Sequence, residues 1–421
     1  MKMSLTVCCF VASLTLCASV PQVSDVTMNQ VPGRTMSVTY RLDAPAIVTF
    51  DIETNGVSIG AVNLTNAVGD VNKVVRKVGE TCQITWRAKE VWPDHRVPSK
   101  AAKAVVTAWS LQSPPDYMVV SMTQMSNVVF YSCAEAVPGG VTNDLYKTDR
   151  LVMRRIHAAG NRFQMGSLVG ESGRTASYEV PHDVIFTNDY YIGIYPLTQK
   201  QLFLVQGVTP SQFYGCKNWQ MRPAEKIYYG ILRGTAVANR WSSLNPSHEV
   251  NMTAGYYLGS FRRFTGLELD LPTEAQWEIA CRAGTRSAFN DGTDSMNAVG
   301  WNSSNWANDP NCTSNETHVV GLLKPNAWGL YDMHGNVGEM CLDWFSKGVY
   351  FSDGTEAIEP PGSDASREGG DGVNYRVVRG GNWNAAASEA RSSSKGFKTF
   401  WVGGAAETLG VRLCCPVQFP Y

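Results

Sequence analysis

The segment LDLPTEAQWEIACRAGT, residues 269–285, carries the strongest secondary-structure signal in the chain. Thr273 is followed three residues later by Gln276, which is the spacing of a capping box, in which each side chain bonds the other residue's backbone amide. Apolar residues then recur at helical spacing on one face: Trp277, Ala280 and Cys281. Gly284 offers a residue at which the helix can end. The segment predicts a capped helix with one apolar face.

The chain around this helix changes character near residue 126. Residues 126–421 are richer in glycine and tryptophan and contain long stretches without periodicity, at 283–330 and 346–375. Irregular stretches of that length inside a compact domain are usually functional or held by metals or disulfides. We expect residues 126–421 to form one domain with few helices and long loops.

Residues 20–125 have the pattern of an all-β domain. In AIVTFDIETNGVSIGAV the apolar residues alternate, and Asn55-Gly56 supplies a hairpin turn because both residues tolerate positive φ. The segments 36–42 and 104–110 show the same period of two, and 113–117 (SPPDY) punctuates the end. Several short strands over about 100 residues predict an immunoglobulin-like sandwich, so the fold class is α+β.

The N-terminal residues 1–19 predict a secretory signal peptide. Lys2 precedes an apolar stretch of about 15 residues, and small residues near Ser19 suit cleavage. A lipoprotein signal is weaker because Leu16 precedes Cys17 where a small residue is needed. We therefore expect a secreted or periplasmic protein, with no transmembrane segment after signal removal.

Charge and cysteine content exclude some classes of function. The formal net charge is −1, which argues against a basic nucleic-acid face. Eight cysteines follow the signal, and an oxidising compartment would permit disulfides, for example between Cys281 and Cys341, although buried free thiols remain an alternative. The six histidines are scattered and no Cys-x-x-Cys pair occurs, so a zinc site is not expected.

Six segments, in order, resemble one known family. They are FQMGS (163–167), YYIGIYPLTQKQ (190–201), LDLPTEAQWEIACRAGT (269–285), PNAWGLYDMHGNVGEM (325–340), RVVRGGNWN (376–384) and LGVRL (409–413). Together they resemble the sulfatase-modifying-factor domain, the C-type-lectin-like fold of formylglycine-generating enzyme. The resemblance covers roughly residues 150–415 and implies this fold for the region that follows the β-rich domain.

The resemblance also implies a copper site that this sequence lacks. The family's oxidases convert a sulfatase cysteine to formylglycine with copper and dioxygen, and hold copper by two thiolates after an Arg-Gly-Gly motif. Counted from residues 379–381, those positions are Ala385 and Ala390, which offer no donor to Cu(I). Three more residues depart from the pattern: Asn382 in place of serine, and Gly338 and Met340 in place of tryptophans. We expect copper binding and the oxidase chemistry to be absent.

A structural calcium site is better retained. The resemblance implies side-chain ligands from Asp332 and Glu339 and backbone carbonyls from Gly335 and Val337. Ca²⁺ takes six to eight oxygen ligands, and a glycine-containing turn between two carboxylates can supply them. The alternative is that Asp332 caps a turn and Glu339 pairs with an arginine, such as Arg379 or Arg391.

Three hypotheses for the function remain. In the first, a secreted non-catalytic protein binds a protein or glycan through residues 382–408, a stretch that some members of this fold use as a hypervariable binding surface. The residues proposed for that surface are Asn382, Trp383, Asn384, Arg391 and Trp401. In the second, the protein is a formylglycine-generating-type oxidase that uses altered chemistry. In the third, it is a structural envelope component.

Overall fold

The computed structural model of the chain shows a strand-rich mixed α/β protein with few helices. It describes residues 20–95, 97–98, 101–177, 179–234, 256–312, 315–345, 357–358, 375–399 and 406–417. The predicted signal peptide and Trp401 lie outside these residues. Within them, every helix is too short to cross a membrane.

Residues 20–109 form two antiparallel sheets, with the orders β1-β2-β7-β5 and β4-β3-β6, and β8 also pairs with β3. Their strands are β1 (Val23–Val31), β2 (Thr35–Leu42), β3 (Ala46–Thr54), β4 (Val57–Ser58), β5 (Val68–Gly69), β6 (Val74–Val75), β7 (Cys82–Arg87) and β8 (Ala102–Trp109). A short helix, α1 (Ala88–Val91), follows β7. The three predicted strands are present, and Asn55 and Gly56 adopt positive φ at the predicted turn. The immunoglobulin-like topology itself stays a prediction.

The next strands form a five-stranded sheet with the order β10-β9-β11-β14-β22. These strands are β9 (Tyr117–Ser121), β10 (Val128–Tyr131), β11 (Arg150–Ile156), β14 (Tyr190–Gly193) and β22 (Cys414–Pro416). β9 precedes residue 125, where the domain boundary was predicted, yet it pairs with β11. The last strand of the N-terminal sheets, β8, ends at Trp109, and the first strand of the five-stranded sheet, β9, begins at Tyr117. The chain therefore passes from one set of sheets to the other within residues 110–116, which contain a proline-containing turn.

Smaller sheets and short helices surround this central sheet. The remaining strands are β12 (Arg162–Met165), β13 (His182–Ile185), β15 (Gly300–Trp301), β16 (His334–Gly335), β17 (Gly338–Trp344), β18 (Ala357–Ile358), β19 (Tyr375–Arg379), β20 (Lys395–Thr399) and β21 (Leu409–Gly410). The helices are α2 (Leu145–Thr148), α3 (Gln199–Gln206), α4 (Tyr229–Arg233), α5 (Tyr257–Thr265) and α6 (Glu274–Arg282). The sheet β20-β19-β17-β21 carries the segments in which the site was predicted.

Helix α6 is the helix predicted from residues 269–285. The capping box is present, since the Thr273 hydroxyl accepts from the Gln276 amide and the Gln276 side chain accepts from the Thr273 amide. The helix ends at Ala283, which adopts the left-handed conformation one residue before Gly284. All nine residues of α6 are buried, not one face alone. The charged residues can be inside because each has an ionic partner, as described below.

Candidate functional site

The Arg-Gly-Gly motif is held by α6 through buried charges. Arg379 donates to the Glu278 carboxylate and to the carbonyls of Ser392, Ser393 and Ser394. Glu278 also accepts from Arg282, at 2.9 Å. The neighbouring guanidinium groups keep the pKa of Glu278 below its usual value although burial acts in the opposite direction. Arg379 thus fixes the loop after β19.

Glu339 is fully engaged by neighbouring donors. The Arg412 guanidinium grips both carboxylate oxygens, with Nη2 at 2.7 Å from Oε1 and Nε at 2.9 Å from Oε2. The Trp277 indole donates to Oε2 at 2.6 Å. Such a two-point contact neutralises the carboxylate and fixes its plane. The arginine alternative from the sequence analysis therefore applies to Glu339, although the partner is Arg412 and not Arg379 or Arg391.

Asp332 differs from Glu339 in the hydrogen bonds that its carboxylate receives. Its Oδ2 accepts from the Gly321 amide at 2.7 Å, whereas Oδ1 is buried without a hydrogen-bond partner among the described residues. Its side chain is buried at positive φ, and burial raises its pKa to about 6. One oxygen of this carboxylate is thus available for a proton, a water or a cation.

The implied calcium ligands do not form a complete set. Asp332 has an available oxygen, but Glu339 offers none, and the positive guanidinium of Arg412 occupies the place of a cation beside it. Val337 is fully buried and Gly335 donates its amide to the Gly380 carbonyl. In the described part of the chain, histidine, cysteine and carboxylate side chains do not gather in a group of three. The calcium site stays a prediction that these contacts do not favour.

Ala385 and Ala390, the residues that the family resemblance places at the copper thiolates, are buried methyl groups. Ala390 is completely buried, and its apolar neighbours are Ala288, Phe289, Met296 and Val299. Ala385 is 7% exposed, and its carbonyl accepts from the Ser303 amide. A methyl group has no lone pair for a soft metal. Ala390 therefore completes a small core, and Ala385 is buried beside the 300–303 segment.

Cys281 is the thiol near this core, next to His334. The sulfur lies 3.7 Å from His334 Nε2 and 3.8 Å from the Ser392 hydroxyl. His334 Nδ1 bonds the Ala390 carbonyl at 2.7 Å, and its Nε2 accepts from the Asn290 amide at 3.1 Å. Burial raises the pKa of Cys281 to about 12 and lowers that of His334 to about 4. The pair is therefore a neutral thiol beside a neutral imidazole.

The described cysteines after the predicted signal are all free thiols, and Cys281 and Cys341 are not joined. Burial raises the pKa of Cys341 well above its usual value as well. A thiolate is the form that binds copper or attacks a substrate. The buried cysteines of this region thus have the character of core residues, which was the alternative to a disulfide.

A cavity of about 240 Å³ opens near the small core that contains Ala390, and the preceding residue, Glu389, is one of its lining residues. It is lined by residues of β17, β19, β20 and β21 and of the loops between them, and its polar lining residues are Asn382, Glu389, Ser394, Lys395 and Thr408. Gly338 lies at its wall, where a Cβ would come within 2.8 Å of the Val378 side chain. The tryptophan expected at this position would not fit unless Val378 moved. The glycine therefore keeps the cavity open.

The charged wall of this cavity connects to α6. The Lys395 ammonium lies 3.0 Å from Glu274 Oε1. The Glu274 amide, the first of the helix, donates to Asp343 at 2.6 Å. Burial raises the pKa of Asp343 to about 7, and the neighbouring Glu274 acts in the same direction. Two carboxyl groups and one ammonium thus lie behind the cavity, a group that the sequence analysis did not identify.

The residues proposed for the binding surface are in unlike environments. Asn384 is exposed, and the half-buried Asn382 lines the cavity. Trp383 is 6% exposed, with its ring 5.9 Å from that of Phe213. Arg391 is 2% exposed and pairs with Glu171 and Glu179 at 2.5 and 2.8 Å. Trp383 and Arg391 are thus buried and engaged in these contacts, and their role in ligand binding stays a prediction.

Comparisons with known proteins agree with the ordered motifs. A sequence model described as "Sulfatase-modifying factor enzyme 1-like domain" matches residues 145–416. Serine/threonine-protein kinase pkn1 of Chlamydia caviae is 26% identical over 257 residues, which is 59% of this chain and 36% of that protein. Formylglycine-generating enzyme of Streptomyces coelicolor is 32% identical over 145 residues, which is 33% of this chain and 43% of the enzyme.

One solved structure that matches part of the chain is that of Treponema denticola variable protein 1. Its TM-score is 0.47 at 23% identity, over 63% of this chain and 95% of that one. The chain spans about a third of the length of its kinase-named relatives, 36% in each of two Chlamydia proteins. Activities that the relatives' names state belong to those proteins.

Proposed function

Because this chain belongs to the sulfatase-modifying factor enzyme 1-like domain family, we propose that it is a non-catalytic member that binds a protein or glycan ligand. The binding surface would be the C-terminal region, residues 382–408, where Asn382 and Asn384 are the accessible ones among the described residues that the sequence analysis proposed for it. The observation that carries this proposal is the burial of Ala390 and Ala385, two residues that the family resemblance places where the oxidases hold copper by thiolates. A core packed in this way supplies neither a metal ligand nor a nucleophile.

The nearby thiol offers no replacement. Cys281 is fully buried and burial raises its pKa to about 12, so the neutral thiol is the form favoured at pH 7. The alternative, an oxidase that uses altered chemistry, would need this thiol to become both exposed and ionised. The non-catalytic proposal needs no such rearrangement.

The open cavity supports a binding role for the same surface. The cavity has a volume of about 240 Å³ and is lined by amide, hydroxyl and charged groups. Gly338 keeps it open. Such groups suit hydrogen bonding to a hydroxyl-rich or peptide ligand. We further propose that residues 1–19 direct export and that residues 20–109 form an immunoglobulin-like spacer.

A direct assay separates binding protein from oxidase. The protein without residues 1–19 is incubated with copper, dioxygen, reductant and a cysteine-containing sulfatase peptide, and thiol-to-aldehyde conversion is measured by mass spectrometry. We expect no aldehyde, while Streptomyces coelicolor formylglycine-generating enzyme converts the same peptide. Conversion that a Cys281→Ser variant abolishes would overturn the proposal in favour of the oxidase.

The binding surface is tested separately on immobilised glycans and secreted-protein libraries. Asn384→Arg places a bulky charge on the exposed surface, and Asn29→Arg is the matched control because Asn29 is exposed on β1. We expect only Asn384→Arg to weaken binding of any ligand that the unaltered protein retains. Equal retention by both variants would place the binding surface elsewhere.

A further inference from the structure

A second cavity, of about 350 Å³, lies between the two regions of the chain. One of its sides is the outer face of the β3–β8 pair, and another is formed by residues 131–136, which follow from β10. The remaining lining residues come from 58–72. This cleft is separate from the C-terminal cavity, since the two share no lining residue.

The outer face of β3 and β8 changes character along its length. The strands pair Ile47 with Trp109, Thr49 with Thr107 and Asp51 with Val105. Because strand residues alternate between faces, these three pairs share the face opposite Ala46, Val48 and Ile52, which pack in the core of the N-terminal sheets. Along β3, the side chains on this face therefore change from apolar at Ile47 to hydroxylated at Thr49 to acidic at Asp51.

The apolar end of that series is closed by the second region. Ile47 is fully buried in the main core of the molecule, and Trp109 packs against the same core. The Trp109 indole donates to the Thr49 hydroxyl at 2.8 Å. The Phe130 amide donates to the Asn72 carbonyl at 2.8 Å, and this bond joins β10 to the N-terminal region. Fixed contacts thus shape the closed end of the cleft.

The open end presents one negative charge. Asp51 is the one charged side chain among the described residues that line the cleft. Its Oδ1 accepts from the Ile52 amide at 2.7 Å and the Ser58 hydroxyl at 3.0 Å, so the carboxylate is held in place. Trp109 and Tyr131 add two aromatic residues to the lining, whereas Phe50 also touches the cleft but lies on the other face of β3 and packs against the N-terminal cores. Aromatic rings and a carboxylate both attract an organic cation.

We infer that this cleft binds a small organic ammonium ion, with the apolar body of the ligand against the aromatic walls and the ammonium group beside Asp51. The inference does not depend on the proposed function of the C-terminal surface. Charge complementarity selects this class, because the lining residues supply a single carboxylate and no cationic side chain to receive an anion.

The test uses three probes of one shape and different charge: 2-phenylethylamine, 2-phenylethanol and phenylacetate. Dissociation constants are measured at pH 7 by ligand-observed NMR with the protein lacking residues 1–19. We expect the ammonium probe to bind about fivefold more tightly than the alcohol, which is the size of a partly exposed ion pair, and the anion to bind most weakly. Equal affinities for the three probes would overturn the inference.

Two variants locate the site. Asp51→Asn should remove the preference for the ammonium probe, whereas Glu53→Gln should retain it, since Glu53 lies on the same strand but pairs with Lys103 and does not line the cleft. Ala136→Trp should fill the cleft and abolish binding of all three probes, with the melting temperature as the check on folding. Retention of the ammonium preference by Asp51→Asn, or of binding by a folded Ala136→Trp protein, would place the ligand elsewhere.

Discussion

Asp332 and Glu339 are two buried carboxylates of one segment, and the family resemblance implies the same calcium-binding role for both. In the structure, Glu339 receives hydrogen bonds from Arg412 and Trp277 on both oxygens. Asp332 has one amide donor on Oδ2 and none on Oδ1 among the described residues. Both side chains are thus buried, and the two carboxylates differ in the hydrogen-bond donors around them. One carboxylate is a fixed part of the core, whereas the other carries an unfavourable charge that protonation or a ligand can relieve.

The largest effect should come from breaking the Glu339 pair. We expect Arg412→Leu to lower the free energy of unfolding by about 3–5 kcal/mol, because it leaves a buried carboxylate without its counter-ion. Urea denaturation measures the change. Arg41→Leu is the control, since its pair with Asp25 is exposed and should contribute under about 1 kcal/mol. Equal losses in the two variants would show that burial does not separate these pairs.

Asp332 should behave in the opposite way, with a pH dependence. Its folded-state pKa of about 6 is above the usual 3.8, so its contribution to stability is present at low pH and is lost as the pH rises from about 4 to 6. The difference between these two pKa values corresponds to about 3 kcal/mol in the free energy of unfolding. Asp332→Asn cannot titrate and keeps an oxygen for the Gly321 amide. We therefore expect the variant to gain up to about 3 kcal/mol relative to the unaltered protein between pH 4 and pH 7.

Urea denaturation of both proteins at pH 4, 5, 6 and 7 measures this difference. Because both contain Asp343 and the other buried acids, most of their titration cancels when the two proteins are compared. A stability difference that stays constant across the range would mean that Asp332 has a partner that neutralises it, and the contrast with Glu339 would fail.

The smallest effect concerns calcium. We expect millimolar calcium or a chelator to leave the melting temperature unchanged, because Arg412 occupies Glu339 and leaves an incomplete ligand set. A bound ion would instead stabilise the protein by about 2.7 kcal/mol at a hundred times Kd. If calcium raised the melting temperature and Asp332→Asn abolished the rise, the implied calcium site would be restored and Arg412 would have to move.

Local sequence signals predicted part of this fold. The capping box of Thr273 and Gln276 located α6, and Asn55-Gly56 located the turn between β3 and β4, because both signals act between neighbouring residues. The six ordered motifs gave the family. The predicted domain boundary near residue 125 stays a prediction, and the pairing of β9 with β11 was not foreseen because it is a long-range contact that local alternation does not reveal.

The environments of site residues were harder to predict. Trp383 and Arg391 lie in an irregular segment, where no periodicity distinguishes a buried side chain from an exposed one. Arg412 was missed as the partner of Glu339, although the sequence contained a signal: an arginine between apolar residues in LGVRL. A charge inside such a segment implies a buried counter-ion, and only the structure shows which carboxylate supplies it.

Helix α6 gives the molecule a natural internal reporter. Its nine residues are all buried, its N-terminus is held by the capping box and its middle by the bond from Arg379 to Glu278, yet a helix this short has little stability by itself. Its backbone amides can therefore meet solvent only when the surrounding sheets and loops separate. Hydrogen–deuterium exchange at the interior turns of α6 should consequently follow global unfolding, while exchange in the irregular segment 283–330 follows local opening.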